Sequence, residues 1–147
     1  MDYLPSSVLF CCTYNAVRSP MAEGIMKRFH GDLVFVDSVG VHVGELDPFV
    51  VEVMHEIGVD MSKHQPKTFD QLADDSFDYV ISLSPHAQHK AVDLTRFMAC
   101  EVLFWNTYDP TLADGARESR LTAYRAVRDR LQQRILDIFP KLESGAF

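Results

Sequence analysis

The feature that most constrains the fold is a short cysteine-containing turn between an apolar run and the start of a helix. Apolar residues 8–11 precede Cys12, five residues separate Cys12 from Arg18, and Ser19 and Pro20 follow. The apolar run predicts a buried strand, and Ser19 and Pro20 are typical of an N-cap and a first helical position. The sequence therefore predicts a strand, a tight turn and a helix, with Cys12 where the strand ends.

A loop of five residues can curl into a half-circle around one tetrahedral oxyanion. The Cys12 sulfur would lie beneath that anion, backbone N–H groups would point inward, and the Arg18 guanidinium would close the rim. The N-terminus of the following helix attracts an anion and favours a thiolate. These properties predict a phosphate-binding cup built from Cys12, Thr13, Tyr14, Asn15, Ala16, Val17, Arg18 and Ser19.

Length and patterning favour a single domain spanning residues 1–147. The chain has 147 residues, of which 47% are hydrophobic, enough for a full core. Strand and helix patterns alternate, which predicts an α/β fold with a four-stranded parallel sheet, helices on both faces and the cup after the first strand. The predicted strands are 8–12, 33–38, 77–83 and 100–105, and the predicted helices are 20–30, 47–58, 84–96 and 118–139.

The site is expected at the carboxyl edge of this sheet, where ligands bind in open α/β folds. The irregular segment 106–117 follows the fourth predicted strand and so belongs to the same edge as the cup. This segment contains Asp109, followed by Pro110. The sequence therefore brings Asp109 to the same face of the sheet as Cys12.

Charge and cysteine content argue against several classes of protein. The formal net charge of −7 argues against a nucleic-acid-binding protein, and no apolar stretch is long enough to span a membrane. The N-terminus lacks the basic start and apolar core of a secretion signal. Three cysteines, two of them adjacent, form no disulfide framework, so we expect a cytoplasmic protein. No His or Cys cluster has metal-binding spacing, and we expect no metal and no cofactor.

Residues 8–23 resemble the active-site segment of the low-molecular-weight protein tyrosine phosphatases, a family that includes thioredoxin-coupled arsenate reductases. Residues 37–40 are similar to the family's Ser-Ala-Gly turn, and residues 58–64 to its Gly-Ile-Asp-Leu-Ser-x-His segment. Asp109 and Pro110 stand where the family has its acid loop. The four segments occur in the family's order and cover most of the chain.

The resemblance implies a catalytic set of three residues. Cys12 would be the nucleophile that forms a phosphocysteine, and Arg18 would clamp two oxygens of the phosphoryl group. Asp109 would protonate the leaving oxygen and then deprotonate the attacking water. The implied ligands are a phosphorylated protein or small aryl phosphate as substrate, and inorganic anions of the phosphate or sulfate type.

The resemblance also implies four supporting residues. Asn15 would hold the loop in its curve, and Ser19 would donate a hydrogen bond to the sulfur of the nucleophile. Ser38 and His64 match positions that brace Asn15 and Ser19.

Some positions depart from the family pattern. Tyr14 replaces a glycine that the family usually has; either its φ is negative, or its side chain forms part of the pocket wall, which we favour. Tyr108 is a second candidate for an aromatic rim. Val17 replaces a second cysteine of many members, and Cys11 is expected to be a core residue because adjacent strand residues point to opposite faces.

Three functions are compatible with the sequence. The first is a cysteine-dependent phosphatase acting on aryl phosphates, above all phosphotyrosine in proteins. The second is an arsenate reductase that uses an external thiol, because segment 82–89 lacks the relay cysteines of the family's reductases. The third is a catalytically weak protein that binds phospho-ligands; Asp109 argues against it, since a binder has no use for an acid.

Overall fold

The computed structural model describes residues 4–73 and 76–141. Its strands are β1 (Ser7–Cys12), β2 (Phe35–Gly40), β3 (Tyr79–Ser82) and β4 (Glu101–Phe104). Its α-helices are α1 (Arg18–His30), α2 (Pro48–His55), α3 (Pro85–Leu94) and α4 (Arg117–Ile138). Short 3-10 turns lie at Phe69–Gln71, Thr95–Phe97 and Pro110–Leu112.

The four strands form one parallel sheet in the order β2-β1-β3-β4. The chain leaves β1 to build β2 on one side and later returns to build β3 on the other. The loop after β1 therefore lies at the topological switch point, where ligands bind in such sheets. The predicted α/β fold, with its cup after the first strand, is confirmed.

Helices cover both faces of the sheet, as predicted. Val8, Phe10 and Cys12 belong to a core shared with α1, α2 and α4, whereas Leu9 and Cys11 face α3. Alternation along β1 thus sends the two adjacent cysteines into different cores. Cys11 is fully buried, which confirms it as a core residue.

Several element boundaries differ from the sequence prediction. Helix α1 begins at Arg18, and Val17 rather than Ser19 occupies the N-cap position. The prediction of Ser19 as the N-cap is wrong, because its hydroxyl faces the cup and contacts the Cys12 sulfur at 2.9 Å. Strand β2 begins two residues later than predicted because Leu33 lies in an exposed turn after α1.

Helix α4 packs one apolar face on the core and presents a charged face to α2. Arg125 and Arg128 both donate to the carboxylate of Glu56, and these hydrogen bonds lower the pKa of Glu56 to about 2. The arginines therefore tie α4 to α2, and Arg117 also pairs with Glu52 of α2 at 2.7 Å. Within residues 4–73 and 76–141, no helix combines the length and apolar character that a membrane span requires.

Gly40 lets the end of β2 approach the cup closely. A Cβ at this position would lie 2.6 Å from Asn15 N and His42 O, and 2.7 Å from Tyr14 C. Because these are backbone atoms, Gly40→Ala should lower the free energy of unfolding by about 3 kcal/mol.

Gly58→Ala is the matched control. Gly58 has a φ of +79°, but a Cβ there meets nothing within 4 Å, so only backbone strain of about 1 kcal/mol is expected. Urea unfolding of both variants measures the difference. Equal losses would contradict the close approach at Gly40.

Candidate active site

Residues 13–17 form a cup whose carbonyl groups turn outward. The carbonyls of Cys12, Thr13 and Tyr14 accept from backbone N–H groups of the segment after β2, at 2.8–3.1 Å. The Ala16 carbonyl accepts from Asp47 N at 3.2 Å. In a trans peptide the N–H points opposite to the C=O. The amides that follow these four carbonyls therefore point away from that segment, as an anion nest requires.

Asn15 holds the curve of the cup. It has a φ of +53° and is the one non-glycine residue with a positive φ in the described ranges. Its buried amide nitrogen donates to Ser19 Oγ at 2.8 Å and to Ser38 Oγ at 2.9 Å. Its Oδ1 accepts from the backbone N–H of Lys67 at 3.0 Å. The side chain therefore connects the cup to α1, β2 and the segment before Phe69.

The Cys12 sulfur lies at the floor of the cup, and the residue as a whole is 2% exposed. Ser19 Oγ is 2.9 Å from the sulfur and 3.3 Å from Val39 O, and it accepts from Asn15. The single hydroxyl proton of Ser19 can therefore be donated either to the Cys12 sulfur or to Val39 O. A thiolate at Cys12 would be the nearer and the stronger acceptor. A thiolate formed at Cys12 would therefore receive the Ser19 proton, and it would lie beside the N-terminus of α1.

Arg18 connects the cup to the segment after β4. One terminal nitrogen donates to Thr107 O at 3.0 Å, and the other lies 3.4 Å from Thr13 Oγ1. The side chain is only 9% exposed. Its planar guanidinium is thus held at the cup, where it can bind two oxygens of one anion.

Asp109 faces the same cavity as the sulfur. This cavity has a volume of about 400 Å³, and its lining includes Cys12, Tyr14, Arg18 and Asp109. Asp109 Oδ1 accepts from the N–H of Thr111 at 3.0 Å and from its hydroxyl at 2.7 Å. One carboxylate oxygen is thereby fixed, which orients the half-buried side chain at the cavity.

The two tyrosines proposed for an aromatic rim lie in different places. Tyr14 lines the cavity, is 53% exposed, and has its ring centroid 5.9 Å from that of His42. Its φ is not positive, since the positive values in the described ranges belong to Asn15 and two glycines. Tyr108 instead lines a separate groove against α4. The wall of this cavity is therefore formed by Tyr14, and Tyr108 is not among the residues that line it.

His64 reaches the cup through Asn15. Its Nε2 lies 3.2 Å from Asn15 Oδ1, which the Lys67 N–H identifies as the oxygen, so Nε2 carries a proton. Burial lowers the pKa of His64, although Glu23, whose carboxylate lies 3.8 Å from Nδ1, acts in the opposite direction. His64 therefore braces Asn15 as a neutral donor.

Glu23 is a supporting residue that the sequence analysis missed. Its nearly buried carboxylate accepts from Ser38 Oγ at 2.5 Å and pairs with Lys27 at 2.6 Å. Ser38 in turn accepts from Asn15, so a continuous chain of hydrogen bonds runs from Glu23 to the cup. The sequence indicates this role only by the presence of an acidic residue within the otherwise apolar stretch 21–25, four positions after Ser19.

The other two cysteines cannot approach the Cys12 sulfur. Cys11 points to the opposite face, and its pKa is raised well above the usual value by burial and by the neighbouring Cys12. Cys100 precedes β4, whose first residue pairs with Tyr79 at the amino edge of the sheet. The cup lies at the carboxyl edge, so Cys12 is the one thiol at the site.

Acidic, histidine and cysteine side chains do not gather into a metal-binding group of three or more anywhere in the described part of the chain. The chemical groups at the site are the Cys12 sulfur, Arg18, Asp109 and the amides of the cup.

Removal of the Ser19 hydroxyl tests the stabilisation of the sulfur. A hydrogen bond to a charged group contributes roughly 1.5–3 kcal/mol, so Ser19→Ala should slow alkylation of Cys12 by iodoacetamide at pH 7 by about tenfold or more. Ser62→Ala is the control, since Ser62 bonds only to Asp60 on an exposed turn. Alkylation is followed by mass spectrometry of the Cys12 peptide. An unchanged rate in Ser19→Ala would contradict the role of the hydroxyl.

Known proteins are similar to this chain in sequence and in fold. The family model for low molecular weight phosphotyrosine protein phosphatase matches residues 7–145. An arsenate reductase of Halalkalibacterium halodurans is 35% identical over 128 residues, covering 87% of this chain and 91% of that protein.

Two solved structures are similar over nearly their whole length. The low molecular weight protein tyrosine phosphatase of T. tengcongensis has a TM-score of 0.76 and 26% identity, covering 92% of this chain and 99% of that one. An arsenate reductase in the phosphate binding state has a TM-score of 0.72 and 25% identity, covering 93% and 98%. The family model spans nearly all of the sequence, and the observed cup lies within it. This chain is therefore a member of the low molecular weight phosphotyrosine protein phosphatase family.

Proposed function

We propose that this protein is a cysteine-dependent phosphatase that hydrolyses aryl phosphate monoesters, above all phosphotyrosine in proteins. The observation that carries the proposal is the meeting of Cys12, Arg18 and Asp109 on one cavity. A sulfur nucleophile, a bidentate cation and a carboxylic acid are the groups that a two-step phosphoryl transfer requires.

In the first step the Cys12 thiolate attacks phosphorus and the bond to the leaving oxygen breaks. Arg18 and the inward amides of the cup bind the equatorial oxygens, where charge is spread in the transition state. Asp109 gives its proton to the leaving oxygen, so a neutral phenol departs. The product is a phosphocysteine at residue 12.

In the second step water attacks phosphorus and the sulfur leaves as a thiolate. Asp109, now ionised, takes a proton from that water, and inorganic phosphate is released. Ser19 stabilises the departing sulfur by donating its hydroxyl proton, since its Oγ lies 2.9 Å from the sulfur. The enzyme returns to its starting state without any other reagent.

The preference for aryl esters is argued from Tyr14. Its half-exposed ring forms a wall of a cavity of about 400 Å³, within the range typical of small-molecule sites. A phenyl ring bound to the phosphoryl group would pack against this wall, and such aromatic pairs contribute about 0.5–1.5 kcal/mol. The phosphorylated side chain would therefore enter between Tyr14 and Asp109.

We propose the cytoplasm as the setting. Cys12 has no second thiol at the site with which it could form a protective disulfide, so it requires a reducing compartment.

A second candidate is arsenate reduction with an external thiol, and the names of the curated relatives favour it. Arsenate resembles phosphate, and Cys12 could attack it with loss of water. Because Cys11 and Cys100 lie away from the cup, an external thiol would then attack the Cys12 sulfur, and arsenite would leave with the electron pair. A second external thiol would reduce the resulting mixed disulfide.

The leaving group tests the role of Asp109. Phenol is a poorer leaving group than para-nitrophenol and needs protonation more. Because Asp109 also acts in the second step, which both esters share, the comparison uses kcat/KM, which reports only on release of the leaving group. Asp109→Asn should therefore lower kcat/KM on phenyl phosphate by about 100-fold or more, and on para-nitrophenyl phosphate by much less. Asp114→Asn, an exposed carboxylate in the same segment, is the control and should leave both rates unchanged. Equal losses on both esters would contradict an acid at residue 109.

Arsenate-dependent consumption of glutathione separates the two candidates. With a phosphatase, wild-type protein hydrolyses para-nitrophenyl phosphate, Cys12→Ser does not, and arsenate leaves the thiol concentration unchanged. Thiol loss that requires both arsenate and Cys12 would favour the reductase. Phosphate affinity without either turnover would mean that the protein only binds phospho-ligands.

A further inference from the structure

The mouth of the cavity is acidic although its floor is built for an anion. Arg18 supplies the positive charge at the floor, whereas Glu45, Asp47 and Asp109 are the other charged residues of the lining. Asp109 is the proposed acid and is protonated when substrate reacts. Two carboxylates therefore remain near the path of an incoming phosphoryl group.

These two carboxylates differ in what they bind. Asp47 Oδ1 accepts from Phe49 N at 2.9 Å, and its Oδ2 accepts from the Tyr124 hydroxyl at 2.5 Å. Glu45 is exposed and makes no hydrogen bond or ion pair with any residue in the described ranges. Asp47 is thus a structural group, and Glu45 is the carboxylate free to meet a ligand.

The backbone fixes the position of Glu45 at the mouth. The residue before it, Gly44, donates its N–H to Tyr14 O at 3.0 Å, and Asp47 N donates to Ala16 O at 3.2 Å. A Cβ at Gly44 would lie 3.1 Å from the Tyr14 Cβ, so the two segments are in close contact. Glu45 therefore lies between two backbone hydrogen bonds that connect its segment to the cup.

We propose, on the basis of the phosphatase function above, that Glu45 is a specificity residue. It selects phosphotyrosine peptides that carry Lys or Arg beside the phosphorylated residue. A free carboxylate repels a bare oxyanion and an acidic peptide, but it attracts a cation that arrives next to the phosphoryl group. The mouth therefore favours an esterified phosphate on a basic segment over inorganic phosphate or arsenate.

The test compares kcat/KM on two phosphotyrosine peptides that differ only in flanking lysines or glutamates. An exposed charge pair changes such a ratio by up to about fivefold. Wild-type protein should prefer the basic peptide, Glu45→Gln should lose about fivefold of that preference, and Glu45→Lys should prefer the acidic peptide. The wild-type preference should also fall at high salt.

Asp32→Lys is the matched control. Asp32 is exposed in the turn before β2, at the opposite edge of the sheet from the cup. Asp32→Lys changes the net charge by the same amount as Glu45→Lys. This variant should keep the wild-type preference. A preference that is absent in wild type, or that changes equally in Asp32→Lys, would overturn the role of Glu45 and leave the phosphatase function intact. Failure to hydrolyse both peptides and para-nitrophenyl phosphate would overturn the proposed function itself.

Discussion

The buried amide of Asn15 is the interaction on which the site depends. This residue takes the left-handed conformation that lets the chain reverse beneath an anion, at a cost of about 1 kcal/mol or more. Its nitrogen donates to Ser19 and Ser38, and its oxygen accepts from Lys67 N. An unsatisfied buried partner costs about 1–3 kcal/mol, so these bonds outweigh the backbone strain. These hydrogen bonds hold the cup from the side opposite its opening, so its backbone amides are preorganised for an anion.

Two adjacent thiols have different surroundings because they point to opposite faces of β1. Cys11 faces an apolar core that raises its pKa, whereas the Cys12 sulfur lies 2.9 Å from the Ser19 hydroxyl, beside the start of α1. A phosphoryl transfer needs only the second of these sulfurs. Arsenate reduction needs further thiols, and neither Cys11 nor Cys100 is placed to supply one. This is why we place the phosphatase first, although curated relatives are named arsenate reductases.

The sequence predicted what depends on local spacing and strand order. A strand, five residues and a helix define the cup, and parallel strands bring Asp109 to the same edge. The hydrogen bond between Glu23 and Ser38 could not be predicted, because it requires the register that pairs Phe10 with Ser38 beside α1. Ser19 was misassigned as the N-cap of α1 because a hydroxyl group suits both an N-cap position and a hydrogen bond to a sulfur. The groove that Tyr108 lines could not be predicted, because the direction of an irregular segment depends on its packing against α4.

The central claim is that Cys12 is the nucleophile of a phosphoryl transfer. Acid quenching during turnover of para-nitrophenyl phosphate, followed by mass spectrometry of the peptide containing Cys11 and Cys12, tests it directly. We predict a phosphoryl group on the sulfur of Cys12, formed during turnover. Turnover without such an adduct, or an adduct on any other residue, would contradict the account.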